Sequence, residues 1–208
     1  MFEKVNFKEL RKNSSEKSIL IGMIIGDGWV NFNRKTSYIS FYHTPLQEEY
    51  LKFKAELLKE LDIYGTIKYN PKTKSNYPKW KYWSKSYRKI NLYRLMYSFR
   101  NTPEKRRKRI ILKMLNYLDE LGIALWFMDD GYNDPKRNLI NLATQSFTLE
   151  ENQIIQKWFL NKWNIEFKIY RRKDKYFLVT YKDAKKFKEL VKPFIEKLEC
   201  MQYKITNC

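Results

Sequence analysis

The chain of 208 residues carries 42 Lys and Arg against 23 Asp and Glu, a formal net charge of +19, yet 43% of it is apolar and 17% aromatic. Disordered basic tails lack large side chains, so this composition describes a folded protein that can bury a core. Two cysteines, Cys200 and Cys208, and one histidine, His43, exclude a disulfide scaffold, a Cys-rich zinc site and a multi-histidine centre, and leave a Ser-His-Asp arrangement a single imidazole to work with.

Residues 1–18 alternate in charge without the apolar centre of a signal peptide, and no run of about 18 apolar residues follows. The expectation is an intracellular protein, neither secreted nor membrane-bound, in a reducing compartment. The first apolar run, Leu20-Ile21-Gly22-Met23-Ile24-Ile25-Gly26-Asp27-Gly28, ends in an Asp-Gly pair and is followed by Trp29. Alternation then predicts a strand over 38–43. Thr44-Pro45-Leu46-Gln47 reads as a capping box with proline at the first helical position, opening a helix over 45–61. Strands over 64–69 and 79–86 and a helix over 90–99 complete a first unit, residues 1–100. A basic linker, 101–118, follows and includes Lys105-Arg106-Arg107-Lys108-Arg109. Its basic start and helical end suit a connection lying against a polyanion.

The second unit, 119–208, repeats the order. The run Ile123-Ala124-Leu125-Trp126-Phe127-Met128-Asp129-Asp130-Gly131 again ends in Asp-Gly before an aromatic, Tyr132. A strand over 139–145, a helix over 149–163 opened by Thr148-Leu149-Glu150-Glu151, strands over 166–172 and 176–181 and a helix over 184–198 follow. Helix, two strands, helix, two strands, helix thus occurs twice, the signature of an internal repeat.

A helix that ends in Asp-Gly sets a carboxylate where unpaired carbonyls and the helix dipole already present negative potential. One such pair commonly marks a helix stop alone. Two in equivalent positions, brought together, would hold Asp27 and Asp130 beside carbonyl oxygens in an oxygen-rich site suited to Mg²⁺ rather than zinc. Gly22 and Gly26 share one face of the first helix and allow close approach of a neighbour. Leu125 and Asp129 stand at the matching positions of the second, so that helix is expected to lack the small-residue contact and the interface to be asymmetric. The basic clusters, interleaved with Tyr and Trp, suit a polyanion with stackable bases, and nucleic acid is the expected partner.

Both motifs, and the chain after about Ser18, resemble the LAGLIDADG homing endonucleases in their single-chain, two-repeat form. Gly26-Asp27-Gly28, Trp126-Phe127-Met128-Asp129-Asp130-Gly131 and Thr144-Gln145-Ser146-Phe147 followed by Glu150-Glu151 carry the likeness. It implies an α+β fold of two pseudo-symmetric αββαββα repeats, with the signature helices at their interface and the sheets forming a saddle over duplex DNA. It further implies that Asp27 and Asp130 are metal-binding catalytic acids, with the carbonyls of Gly26 and Asp129 as further ligands for two or three Mg²⁺ ions, Mn²⁺ being a substitute. One basic residue per half belongs near the acids: Lys204 matches in the second, and Lys108 or Arg107 in the first. Gln145 fits a water-holding glutamine, and His43 sits comparably in the first half, where a strand-end packing role is the alternative.

Alternation sets Lys79, Lys81, Trp83 and Lys85 on one strand face, beside Lys68, and Lys168, Tyr170 and Arg172 on another; with Arg106 these are the expected DNA contacts. The expected activity is double-strand cleavage of a long, weakly palindromic target by a monomer, leaving short 3′ overhangs. An intron maturase that binds intron RNA, and a cleavage-inactive DNA-binding regulator, are the alternatives.

Overall fold

The computed structural model describes residues 5–71, 77–98 and 106–206. Phe99, the linker over 101–105 with Lys105 of its basic cluster, and Cys208 lie outside the described residues.

After one helical turn, α1 (Phe7–Leu10), the first motif forms α2 (Glu16–Ile25). The Ser15 side chain caps it, accepting from the Ser18 N–H at 3.0 Å. Every residue from Ser18 to Ile25 is buried, which suits a helix apolar on all sides. Next come β1 (Trp29–Phe32), β2 (Ser37–His43), α3 (Glu48–Lys59), β3 (Gly65–Asn70) and β4 (Lys79–Ser84), whose strands form an antiparallel sheet in the order β1-β2-β4-β3. A short ribbon pairs β5 (Tyr97–Ser98) with β6 (Arg107–Lys108), and α4 (Leu112–Leu115) leads to the second motif, α5 (Glu120–Asp130). Then follow β7 (Gly131–Asp134), β8 (Leu139–Leu142), α6 (Leu149–Trp163), β9 (Lys168–Arg172), β10 (Lys175–Thr180) and α7 (Ala184–Ile195). The second sheet, antiparallel and ordered β7-β8-β10-β9, repeats the topology of the first. The fold is the duplicated α+β architecture that the sequence implies.

α2 and α5 pack against each other at the centre. A Cβ on Gly22 would run into the Gly122 carbonyl, and one on Gly122 would strike Ser18. The small-residue contact that the motif alignment denies to α5 therefore exists, supplied by Gly122 about one turn before Leu125. The helices also share their start. Asp119 caps α5, its Oδ1 accepting from the Gly122 N–H at 3.1 Å, and it accepts from α2's side as well, from Ser14 Oγ at 3.1 Å and the Ser15 N–H at 3.2 Å. Its own N–H donates to Ser18 Oγ at 2.9 Å. One carboxylate thus ties the N-terminal ends of both helices, where their dipoles favour an anion.

Two local expectations are corrected. Thr44 makes no capping hydrogen bond; Pro45–Gln47 form a 3₁₀ turn before α3, and Gln47 turns to His43 instead. The capping box is real at Thr148 and Glu151. The helix expected over 90–99 is a 3₁₀ helix over Arg88–Met96 that passes into β5. Its buried residues, Ile90, Tyr93 and Met96, recur every third position, the period of a 3₁₀ helix rather than an α-helix.

Gly22→Ala should destabilise the protein by about 2–3 kcal/mol through overpacking against backbone that cannot move aside. Circular-dichroism melts should show a loss of about 5–10 °C; an unchanged melting temperature would show that α2 and α5 are not in this close contact.

Candidate functional site

Helices tied together at their starts also end together, and the C-terminal ends of α2 and α5 gather Gly26, Asp27, Asp129 and Asp130. Three carboxylates at two negative helix ends require cations. Three lysines provide them from separate segments: Lys54 of α3, Lys108 of β6 and Lys204 of the C-terminal 3₁₀ helix (Glu199–Lys204).

The side chains of Lys54 and Asp129 are both fully buried, with Nζ 2.5 Å from Asp129 Oδ1. The same ammonium donates to His43 Nε2 at 3.1 Å and lies over the rings of Tyr50 (4.4 Å) and Phe41 (4.8 Å). The other Asp129 oxygen, Oδ2, accepts from the Asp27 N–H at 2.9 Å. Tyr50 donates its hydroxyl proton to the Leu125 carbonyl of α5 at 3.2 Å. Lys108 Nζ donates to the Gly26 carbonyl, and Lys204 Nζ to the Gly131 carbonyl at 2.6 Å. The lysine heads thus take up carbonyls that the helix ends would otherwise leave unpaired.

Electrostatics follow from this crowding. Burial, and then the charge of Asp129, hold the Asp27 carboxyl above its ordinary value. Burial, Asp129 and Asp27, in that order, push Asp130 up to about 7. Burial pulls Lys108 and Lys204 down while the acids oppose it. For His43, burial and then Lys54 lower the pKa to about 4. The ring is therefore neutral near pH 7: Nε2 accepts from Lys54, and the Nδ1 proton faces Gln47 Oε1 at 3.3 Å. The His43 ring also packs against Tyr50 at a tilt of 59°, with centroids 5.3 Å apart.

Of the residues singled out in the sequence, Asp27, Asp130, Gly26, Asp129, Lys108, Lys204 and His43 come together here. Arg107 does not: it pairs with Glu151 at 2.7 Å, so of the two candidates in the linker Lys108 is the one that reaches the acids. Gln145 is exposed and lines a hollow with Asn141, Arg172 and Phe177. Lys79, Lys81 and Trp83 share the outer face of β4, opposite buried Tyr82 and Ser84, but Lys85 lies past its end, with its N–H on the Tyr64 carbonyl. The register aligns Tyr42, Lys81 and Lys68 across three strands, and the Lys81 ammonium lies 5.2 Å from the Tyr42 ring and 5.3 Å from that of Trp83. In the second sheet Lys168, Tyr170 and Arg172 are exposed along β9. Arg106 stacks on Trp29 and Phe32, at 5.5 and 4.3 Å.

Lys54, Gln47 and Tyr50 are the site residues that sequence reasoning missed. The signal for Lys54 was its position in the buried stripe of α3, with Tyr50, Phe53, Leu57 and Leu58, where an unpaired lysine would be costly.

The donor set fits a hard divalent cation. Ligating atoms of Asp27, His43 and Asp129 lie within 4.8 Å of one another. His43 Nε2 and both Asp129 oxygens already have partners, which leaves the Asp27 side chain, 43% exposed, as the open carboxylate of this group, with Asp130 outside it. Oxygen-only coordination favours Mg²⁺ or Mn²⁺. Among the described residues, no helix is long and apolar enough to cross a membrane.

Residues 17–187 match the LAGLIDADG DNA endonuclease family. "Probable intron-encoded DNA endonuclease 3" of Mycosarcoma maydis is 31% identical over 127 residues, 60% of this chain and 92% of that protein. The cytochrome b mRNA maturase bI2 of Saccharomyces cerevisiae is 26% identical over 94% of this chain and 48% of its own length. Among solved structures, the homing endonuclease I-WcaI bound to its DNA recognition sequence superposes with a TM-score of 0.75 at 24% identity, covering 96% of this chain and 91% of that one.

The raised Asp130 value makes a prediction for the metal-free protein. The folded state holds this proton until about pH 7, whereas an unfolded chain releases it near 3.8. Stability from this group is therefore present at low pH, falls as pH rises through that window and levels off above 7. Asp130→Asn should flatten this dependence and, in EDTA at pH 8, melt higher than the wild type, by about 2–4 °C per kcal/mol relieved. A lower melting temperature than wild type at pH 8 would refute the assignment.

Proposed function

The chain belongs to the LAGLIDADG DNA endonuclease family, and on that premise we propose that it is a site-specific, metal-dependent homing endonuclease. It cuts both strands of a long, weakly palindromic duplex as a monomer. The observation that carries this reading is the convergence of Asp27 and Asp130, one from each half, at paired helix ends where Lys108 and Lys204 donate to the neighbouring carbonyls. A protein that only binds has no chemical need for such an arrangement, which argues against a cleavage-inactive regulator.

Asp27 and Asp130, with the carbonyls of Gly26 and Asp129 as further ligands, would hold two or three Mg²⁺ ions, or Mn²⁺ in their stead, the Lys108 ammonium giving up the Gly26 carbonyl to the ion. Bound there, the metal supplies activation of water and relief of negative charge on the phosphoryl group under attack. Lys108 and Lys204 each offer an ammonium to a phosphate oxygen, and their partial burial strengthens that interaction relative to water. Gln145 takes the water-holding role in the second half. Substrate binding belongs to the outer sheet faces. Lys68, Lys79, Lys81 and Trp83, with Lys85 just past the end of β4, on one side and Lys168, Tyr170 and Arg172 on the other form the two flanks of a basic saddle, with Arg106 contacting the backbone from the linker.

The likeness to maturase bI2 supports a second reading, an RNA-binding splicing cofactor that uses the same basic surface, with intron RNA as partner. Competition separates the two: an endonuclease prefers its cognate duplex to unrelated DNA by at least ~10³-fold at physiological salt. A protein indifferent among duplexes that binds one folded intron RNA tightly and speeds its splicing is a maturase.

With the cognate duplex and Mg²⁺, Asp27→Asn or Asp130→Asn should abolish or severely reduce cleavage, with the dissociation constant from gel shift little changed. EDTA should stop turnover, and Ca²⁺ should support binding with little cutting. Full cleavage by the double variant would end the metal-nuclease reading, and sedimentation of the 25.6 kDa chain as an obligate dimer would end the monomeric one.

Affinity should fall steeply with salt, each neutralised phosphate adding about 0.9 to the log–log slope. Lys81→Ala should relax preference at particular positions of the target, at roughly 1–3 kcal/mol for a good base contact, whereas Arg106→Ala should weaken all duplexes alike. Selection from a randomised target library reads both, and uniform weakening by Lys81→Ala would move that residue from base reading to backbone contact.

A further inference from the structure

The two acids are not held alike. α5 runs on through Asp130, but α2 ends at Ile25, so Asp27 lies in the turn beyond its helix. Its N–H is taken by a side chain of the other repeat, Asp129 Oδ2. In the motif alignment the counterpart of Asp129 is Gly26, which has no side chain, so Asp130 has no equivalent clamp.

Asp129 is itself fixed. Its second oxygen is 2.5 Å from Lys54 Nζ, both side chains are fully buried, and the ammonium is confined further by His43 and by the rings of Tyr50 and Phe41. Lys54 comes from the first repeat and Asp129 from the second. The chain Lys54–Asp129–Asp27 N–H therefore crosses the interface and returns, closing the first acid's turn against the partner helix. A buried charge pair of this kind adds little net stability over apolar residues but is costly to break and fixes one arrangement.

We infer that Lys54 and Asp129 are positioning residues for the first acid, a latch that sets the Asp27 carboxylate for the strand it serves. The inference rests on the endonuclease reading for its catalytic consequence, and on geometry alone for the latch.

Strand-resolved cleavage of an end-labelled cognate duplex tests it. Lys54→Met and Asp129→Ala should each slow the same single strand by about 10–100-fold, the usual cost of losing a group that orients a metal-binding carboxylate. The other strand, whose acid Asp130 feels these charges but is not held by this contact, should slow at least ~3-fold less, and duplex affinity should stay constant. Lys54→Met leaves a buried carboxylate unpaired and can cost the fold, so Lys54→Met/Asp129→Asn carries the test as well. Its neutral pair restores the melting temperature, keeps an amide oxygen for the Asp27 N–H, and should cut the affected strand no more slowly than Lys54→Met, because the two positions act through one contact.

Amide exchange of Asp27, followed by NMR in metal-free protein, is the independent readout. Protection present in the wild type should be lost at least ~10-fold in Asp129→Ala, while neighbouring α2 amides keep theirs. Equal slowing of both strands, or Asp27 exchange unaltered by Asp129→Ala, would overturn the latch. A wild-type protein that cuts neither strand would instead remove the endonuclease reading, and amide exchange alone would then decide.

Discussion

Charge compensation at the shared end of α2 and α5 is the constraint on which the rest of the molecule depends. Parallel helices capped at one level by Asp119 point both negative ends at one spot, and the motifs then add Asp27, Asp129 and Asp130. Without cations that concentration of charge would force the repeats apart. Lysines meet it, and each is delivered by a different connection: α3 brings Lys54, the β5–β6 ribbon brings Lys108, and the segment after α7 brings Lys204. The chain must therefore complete both repeats and the linker between them before its interface is neutral.

This helps to explain an otherwise expensive choice, a fully buried lysine. The ammonium of Lys54 has a carboxylate, an imidazole nitrogen and two aromatic faces around it. Keeping His43 neutral is part of the same economy, since a second cation beside Lys54 would be repelled, and the lowered pKa of the ring reflects that after burial. Tyr50 serves both sides, with its ring under the ammonium and its hydroxyl on an α5 carbonyl.

Most of the architecture was legible because apolar periodicity is local. The helix over 149–163 and its capping box read directly from Thr148 and Glu151, and the duplicated Asp-Gly runs located both central helices. Where local rules misled, tertiary partners had intervened. Thr44 and Gln47 have the spacing of a capping box, but Gln47 is drawn to His43. The 3₁₀ helix over Arg88–Met96 looked like an α-helix because apolar residues three apart fit both periods. In the site, the acids announced themselves by repetition, whereas Lys54 did not: its period sets it in the buried stripe of α3, but the carboxylate that makes a lysine tolerable there is 75 residues away. Gly122 was hidden in the same way, since its meaning lies in Gly22 on another helix.

Both carboxylates that bracket α2, Asp119 at its start and Asp129 at its end, belong to α5. Ten residues of helix set them about 15 Å apart. α5 thus acts as a gauge bar, and the lateral position of the two repeats is a property of its length. The exposed side chains of β3 and β9 stand outside this clamp and can change without disturbing the charged cluster at the helix ends. Insertion or deletion of one residue between Asp119 and Asp129 is another matter, because it turns one carboxylate about 100° around the axis relative to the other. The central helix can drift in composition, but its length is held constant by the geometry at its two ends.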